Sequence, residues 1–488
     1  MTTHVTAPHR RPSRALTLPP VIQGGMGVAV SSWTLAAAVA REGQLGVVSG
    51  TALDLVLTRR LQDGDPDGSV RRALAAFPVP AVAERAVARY FTPGGRAAGS
   101  PYAPVPRLGL RQNALVQELM VLGNFVEVWL AKEGHDGVVG INYLEKVQMA
   151  TPASAYGALL AGVDAVLMGA GIPRDIPALL DGLAEHRTAR LPVTVHGAGG
   201  DEHHVELDPA RLLGDDLPPL RRPAFLAIVS AEALAAHLVR DERTVPDGFV
   251  VEGPGAGGHN APPRGRPTRD DLGQPVFGPR DDADLAKVAA VGLPFWVAGS
   301  VGTPEALRAA RAAGAQGVQV GTVFALSAES GLRPDLRRRL TDGLRAGTLQ
   351  VRTDADASPT GFPFKVAQLT GTLSDLGLRA DRPRLCDLGY LRTPYLRDGG
   401  AVGYRCPAEP VHTFVRKGGS VEQTEGRACL CNALSADVGM GQVRPDGYEE
   451  EALVTLGADL DGARRLAAAH PGGWTAAQAI EWLLVPMA

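Results

Sequence analysis

Short apolar runs recur along the first two thirds of the chain, separated by stretches whose apolar positions return at helical spacing. Runs near residues 21, 45, 138, 165, 225, 248, 295 and 317 are β-branched and lack alternating polar positions, as strands covered on both faces must be. Between them the spacing predicts helices over Trp33 to Arg41, Ala153 to Ala161, Ala231 to Val239, Asp282 to Val291 and Thr303 to Ala313, with Ser31 or Ser32 placed to cap the first. Residues 52–132 read as mostly helical, broken by a Pro- and Gly-rich loop from Thr92 to Arg107; the region 107–132 would serve packing or dimerisation equally well. Eight strands with intervening helices is the count that closes a (β/α)8 TIM-type barrel. An open doubly wound sheet has the same count, and the barrel is favoured.

Two features interrupt the alternation. Residues 191–207 predict an inserted hairpin around a Gly-rich turn. Its His203 and His204 are adjacent and would point to opposite faces, so with His196 they read as solvated side chains rather than metal ligands. Beyond about residue 348 the sequence turns irregular, with helical pattern returning only at Glu449 to Ala469 and Thr475 to Leu484. The expected organisation is a disordered tip over 1–15, a barrel over 16–348 carrying the hairpin, and a C-terminal cap or extension over 349–488.

Composition narrows the partners. A formal charge of -3 offers no broad basic field for nucleic acid or an anionic membrane. No long uncharged apolar run suits a bilayer span, and the first fifteen residues lack the apolar core of a secretory signal, so a cytoplasmic protein is expected. The four cysteines, Cys386, Cys406, Cys429 and Cys431, all fall in the tail. Four thiolates could hold zinc or an iron–sulfur cluster, but their spacing fits no defined pattern, and no metal ligand is assigned.

Candidate chemistry gathers where glycine-bearing loops follow strands, the end at which barrels bind ligands. Residues 248–263 run from an apolar strand into a loop carrying Gly258 and His259, whose neutral imidazole could take a proton; a plain loop histidine is the competing reading. Gly299-Ser300 and Gln319-Val320-Gly321-Thr322 follow the seventh and eighth runs, where bare amides and hydroxyls suit a phosphate, helped by a helix starting near Thr303. Gln23-Gly24-Gly25-Met26-Gly27 could lie against a flat ring, and the amide of Asn142 could meet a ring edge; a simple turn and a helix cap are the alternatives. Dinucleotide and P-loop signatures and a nucleophile elbow are missing.

Five motifs in order, Gln-Gly-Gly-Met-Gly at 23–27, Gly-Ile-Asn at 140–142, Ala-Gly-Gly-His at 256–259, Ala-Gly-Ser at 298–300, and Gly-Val-Gln-Val-Gly-Thr-Val-Phe with Glu329-Ser330 at 317–330, resemble the nitronate monooxygenase (2-nitropropane dioxygenase) family over about Pro19 to Gly331. The resemblance implies an FMN-containing oxidoreductase that oxidises alkyl nitronates, and nitroalkanes where a base assists, with O2 to carbonyl compounds and nitrite. It further implies that Gly24, Gly25, Met26, Asn142 and Gly258 lie along the flavin. Gly299, Ser300, Gln319, Val320, Gly321 and Thr322 would hold its phosphate, and His259 would be the base. The sequence departs from the family's simplest pattern at Asn260-Ala-Pro-Pro-Arg, in the long loop that follows, and in the tail. Those departures leave the substrate open, and an NAD(P)H-dependent enoyl-thioester or quinone reductase on the same flavin is the alternative. Oligomeric state is also left open.

Overall fold

The computed structural model describes residues 17–199, 203–266 and 268–485; the tip expected over 1–15 lies outside them. The eight predicted strands all form, at Val21–Gln23, Gly46–Ser49, Val139–Leu144, Ala165–Gly169, Ala224–Val229, Gly248–Glu252, Phe295–Ala298 and Gly317–Val320. From the second to the eighth, each pairs in parallel with its chain neighbour, and the first pairs with the eighth, Ile22 opposite Gln319. Gln23 N–H donates to Leu45 O at 3.0 Å and Leu45 N–H to Val21 O at 3.1 Å, which closes the ring between the first and second strands. The sheet is a closed (β/α)8 barrel.

Alternate strand residues divide between two cores, as a pleated barrel requires. Ile22, Val47, Leu167, Leu226, Val250 and Trp296 fill the interior, and Trp296 Nε1–H donates to Pro19 O at 2.9 Å across the barrel floor. The opposite set faces the helices. Helices approach closely where glycine permits it: a Cβ on Gly46 would stand 1.9 Å from Ala36 O, and one on Gly157 would stand 2.1 Å from Val121 O. Gly157 thus seats the helix Thr151–Leu160 against Ala114–Lys132. The latter helix is long and apolar enough to cross a bilayer, yet it is mostly buried within the fold.

Three local expectations are corrected. Neither Ser31 nor Ser32 caps Trp33–Arg41 with its side chain; Glu127 accepts from Trp33 N–H at 2.9 Å, and Ser31 instead staples the first loop. The helix expected over Asp282 to Val291 shortens to Leu285–Ala289, because the Asp284 carboxylate accepts from Ala286 and Lys287 N–H and starts it there. Residues 449–460 are not helical. Their backbone groups bond elsewhere, with Val454 O accepting from Ala367 N–H and Ala458 N–H donating to Gly255 O, both at 2.9 Å.

The hairpin forms from Ala189–Pro192 and His204–Leu207, antiparallel. After residue 348 come two more antiparallel pairs, Val351–Asp354 with Phe364–Ala367 and Thr393–Leu396 with Val402–Arg405. The last helix, Ala476–Leu483, packs between Trp33–Arg41 and Pro304–Ala312, the place of an eighth barrel helix. Trp474 Nε1–H donates to Val323 O at 2.9 Å and holds this helix to the eighth strand's loop. The tail therefore completes the helical ring and covers the barrel mouth.

Candidate active site

At the carboxyl end of the strands lies a cavity of about 260 Å3 whose wall includes Gly24, Gly25, Met26, Asn142, Gly258 and His259. Gly299, Ser300, Gln319, Val320, Gly321 and Thr322 complete the set, so every residue singled out in the sequence lines one cavity.

The first loop is pinned from below. Ser31 Oγ accepts from Met26 N–H at 2.9 Å and donates to Gly24 O at 2.9 Å, while the fully buried Gln23 amide bonds Ser31 Oγ at 2.7 Å and Val47 N–H at 3.0 Å. Gly25 presses directly on the third strand's end: a Cβ there would stand 2.4 Å from Asn142 Cβ. On the far side, Gly299 and Ser300 take φ of 88° and 59°. A left-handed serine costs about 1–2 kcal/mol, and Ala52 and Ala170, with φ of 57° and 62°, carry the same conformation in the same cavity wall. Such strain collects at ligand sites.

The residues suit a flavin. The amides of Ser300, Val301 and Gly302 donate to no protein acceptor among the described residues, which leaves a row of N–H groups for an anion. The buried Gln319 Oε1 also lacks a partner, an acceptor awaiting a donor in a water-poor site. Met26, Val147 and Ile228 supply apolar wall for a ring system.

His259 sits at the opposite wall, its ring edge-on to Phe364 at 4.9 Å between centroids. Its Nε2 bonds Ser358 Oγ at 2.7 Å, and Ser358 Oγ meets Thr360 Oγ1 at 2.8 Å; Nδ1 makes no hydrogen bond with the described residues. Burial first, then the charge of Lys146, push the imidazole down to about 3, so it is neutral at neutral pH.

Three charged residues that sequence reasoning passed over surround it. Glu252 ends the sixth strand, lines the cavity and bonds to no described group; burial raises its carboxyl to about 7 against the pull of Lys146 and Lys365. Lys146 donates to Ala170 O at 2.5 Å and stands 3.5 Å over the Phe362 ring, and burial lowers it to about 8. Lys365 donates to Pro254 O, Asn260 Oδ1 and Thr353 Oγ1 at 2.7–2.9 Å and is likewise lowered to about 8 by burial. Glu252 had a signal: one carboxylate closing an apolar strand at the ligand end. Lys365, Ser358 and Thr360 come from the irregular tail, where no pattern pointed inward.

That tail also roofs the site. Gly457 N–H donates to Thr322 Oγ1 and Gly258 N–H to Thr455 Oγ1, both at 2.8 Å. Tyr390, Leu391, Leu430, Cys431 and Leu434 close the remaining side.

Residues 220–357 match the profile of the nitronate monooxygenase family. Members are flavin-dependent oxidoreductases, and the matched segment holds Glu252, His259 and the two anion-facing loops, while Gly24 to Met26 and Asn142 join the same cavity from outside it. No curated protein matches the sequence. Among solved structures, a nitroalkane oxidase from Streptomyces ansochromogenes aligns at TM-score 0.46 and 17% identity, over 95% of this chain and 94% of that one. FabK from Thermotoga maritima aligns at 0.45 and 17%, over 96% and 91%. The enoyl reductase domain of MlnA from the macrolactin biosynthesis cluster of Bacillus amyloliquefaciens aligns at 0.35 and 12%, over 72% and 64%. These likenesses are too loose to bear on activity, and the closed barrel rests on its own strand pairing.

Proposed function

We propose that this nitronate monooxygenase-family chain binds FMN across the barrel mouth and oxidises alkyl nitronates with O2 to carbonyl compounds and nitrite. When bound, FMN supplies electron acceptance from the substrate and the reaction with O2. The free amides of Ser300, Val301 and Gly302, with Gly321 and Thr322 opposite, would hold its phosphate. Gly24, Gly25, Met26, Asn142 and Gly258 would lie along the ring, with Gln319 Oε1 accepting from a ring N–H.

One observation favours the anionic substrate: burial and the charge of Lys146 push the His259 imidazole down to about 3, which makes it a poor base at neutral pH. Proton abstraction is efficient when the base titrates near the working pH, so removing the α-proton of a neutral nitroalkane is not what this ring does best. A preformed nitronate needs no such step. Its negative charge is met by Lys146, and His259 orients it through Nδ1 while Nε2 stays engaged with Ser358. The ring remains the only imidazole in the cavity wall among the described residues, and a nitroalkane with an acidic α-proton would use it slowly.

The reading is tested by following O2 uptake and nitrite with propyl nitronate, against NAD(P)H oxidation with an enoyl thioester or a quinone. Nitrite formed with nitronate and no NAD(P)H turnover is the expected result. NAD(P)H-driven reduction without nitrite formation would instead identify a reductase.

A further inference from the structure

The four cysteines, spread over the tail, meet at one place. Cys406 and Cys429 are buried, Cys386 and Cys431 half-buried, and all four are free thiols. Cys386 and Cys431 pack against Cys406 and Cys429, and the four line a cavity of about 10 Å3. The Cys386 and Cys406 thiols face one another closely enough to perturb each other's protonation. Cys431 belongs also to the wall of the large cavity, so the two spaces share a side chain.

The surroundings carry charge that neutral thiols do not answer. Arg384 faces Cys406 and Arg392 faces Cys386. Among the described residues both guanidiniums hydrogen-bond only backbone carbonyls, Arg384 to Pro407 O and Thr424 O, Arg392 to Gly389 O and Leu108 O, and Arg392 also stands 5.0 Å over the Tyr404 ring. Among the described residues Arg384 forms no ion pair, and the one carboxylate acting on Arg392, Glu409, is already bonded to Lys417 at 2.7 Å. Arg382 lies near Cys429 but is already paired with Glu450. Two half-buried cations so thinly compensated are costly unless the groups they face become negative. Asn432 Nδ2 also donates to Cys429 Sγ at 3.5 Å, the kind of donor that steadies a thiolate.

We propose that Cys386, Cys406, Cys429 and Cys431 are the ligands of a four-thiolate metal centre that forms one wall of the flavin cavity, with Arg384 and Arg392 offsetting its negative charge. The ligand chemistry is that of a thiophilic metal, either one zinc ion or an iron–sulfur cluster. Among the described residues no group of three or more His, Cys, Asp or Glu side chains is placed to hold a metal ion, so the four thiols would have to close together on binding one. Metal binding displaces thiol protons and would draw the four side chains onto the small space they already line. Such a centre would also fix three chain segments of the roof, those around 386, 406 and 430, which otherwise share little regular structure.

The test is metal and sulfide analysis of the full-length protein purified anaerobically, with its absorbance recorded after flavin removal. About one zinc per chain and no visible band identifies the zinc form; about two to four irons with matching sulfide and a charge-transfer band identifies the cluster. Either supports the proposal. Cys406→Ala and Cys429→Ala should lose the metal, but they also disturb a buried site. The double variant Arg384→Gln with Arg392→Gln leaves every ligand in place and is expected to weaken metal retention against a chelator by roughly 10–100-fold, the usual effect of groups just behind the ligands. Metal-free protein that takes up neither Zn2+ nor iron and sulfide on anaerobic reconstitution overturns the proposal, as does a Cys386–Cys406 disulfide in protein never exposed to oxidant.

Discussion

Two adjacent glycines offer a sharp test of the proposed flavin seat, because the structure assigns them different consequences. An alanine at position 24 would place its Cβ 3.5 Å from Gln319 Cγ and Val320 O, ordinary contact. An alanine at 25 would place it 2.4 Å from Asn142 Cβ and 3.2 Å from Asn142 Cγ. Asn142 Cβ is fixed by its strand, so no rotamer relieves the clash, and restoring normal contact takes a movement of about 1 Å by the loop or the strand end. Neither glycine has positive φ, so backbone strain does not confuse the comparison. Overpacking of this kind costs about 1–3 kcal/mol. Because the displaced atoms are those that line the ring, most of that cost falls on cofactor binding and corresponds to roughly 5–150-fold in FMN affinity. Quenching of flavin fluorescence on titrating apoprotein measures it, with thermal unfolding of the apoproteins as the control for fold. Gly25→Ala weakening FMN at least fivefold while Gly24→Ala stays within about twofold is the predicted result. Equal effects, or full affinity in Gly25→Ala, would show that the flavin does not lie on this loop.

Other consequences are shorter to state. His259 is pushed below its unfolded value, so the unfolded chain binds the extra proton: its contribution to stability is full above about pH 6.5 and is lost as pH falls towards about 3, which apoprotein denaturation at pH 4–7 in wild type and His259→Gln would reveal as a difference in slope. On propyl nitronate the pH–rate profile should show no break from His259 between pH 5 and 8, and His259→Ala should cost roughly 10²–10⁴-fold on the slow neutral-nitroalkane reaction and far less on the nitronate. Lys146→Met removes a charge that opposes the His259 proton and holds Glu252 down, so both groups should titrate higher and the KM for nitronate should rise more than kcat falls. Tyr390 donates to both Asp54 carboxylate oxygens, at 2.7 and 2.8 Å, so Tyr390→Phe should destabilise the protein by about 1–3 kcal/mol in chemical unfolding by removing a donor from a buried carboxyl group.

The barrel was legible for a physical reason. Parallel strands covered on both faces leave uninterrupted apolar runs, and all eight lie where those runs fall. The loops were legible because close backbone approach demands glycine, as where Gly25 meets Asn142 and Gly299 meets Gly253. The tail was not. Residues 449–460 carry apolar spacing that looks helical, but Val454 O and Ala458 N–H are taken by other segments, a long-range choice that no local pattern records. For the same reason Lys365 and Ser358 stayed hidden: they reach the site through pairing of Phe364 with His259, across a hundred residues. Lys146 and Glu252 lay in plain view, but as single charges beside apolar strands they drew no reading.

The most direct test of the proposed activity is an anaerobic absorbance titration of the FMN-loaded protein with propyl nitronate and, separately, with NADPH. The account predicts that nitronate changes the flavin spectrum within the mixing time, that O2 restores it with release of nitrite, and that NADPH leaves it unchanged. Rapid bleaching by NADPH with no response to nitronate would contradict it.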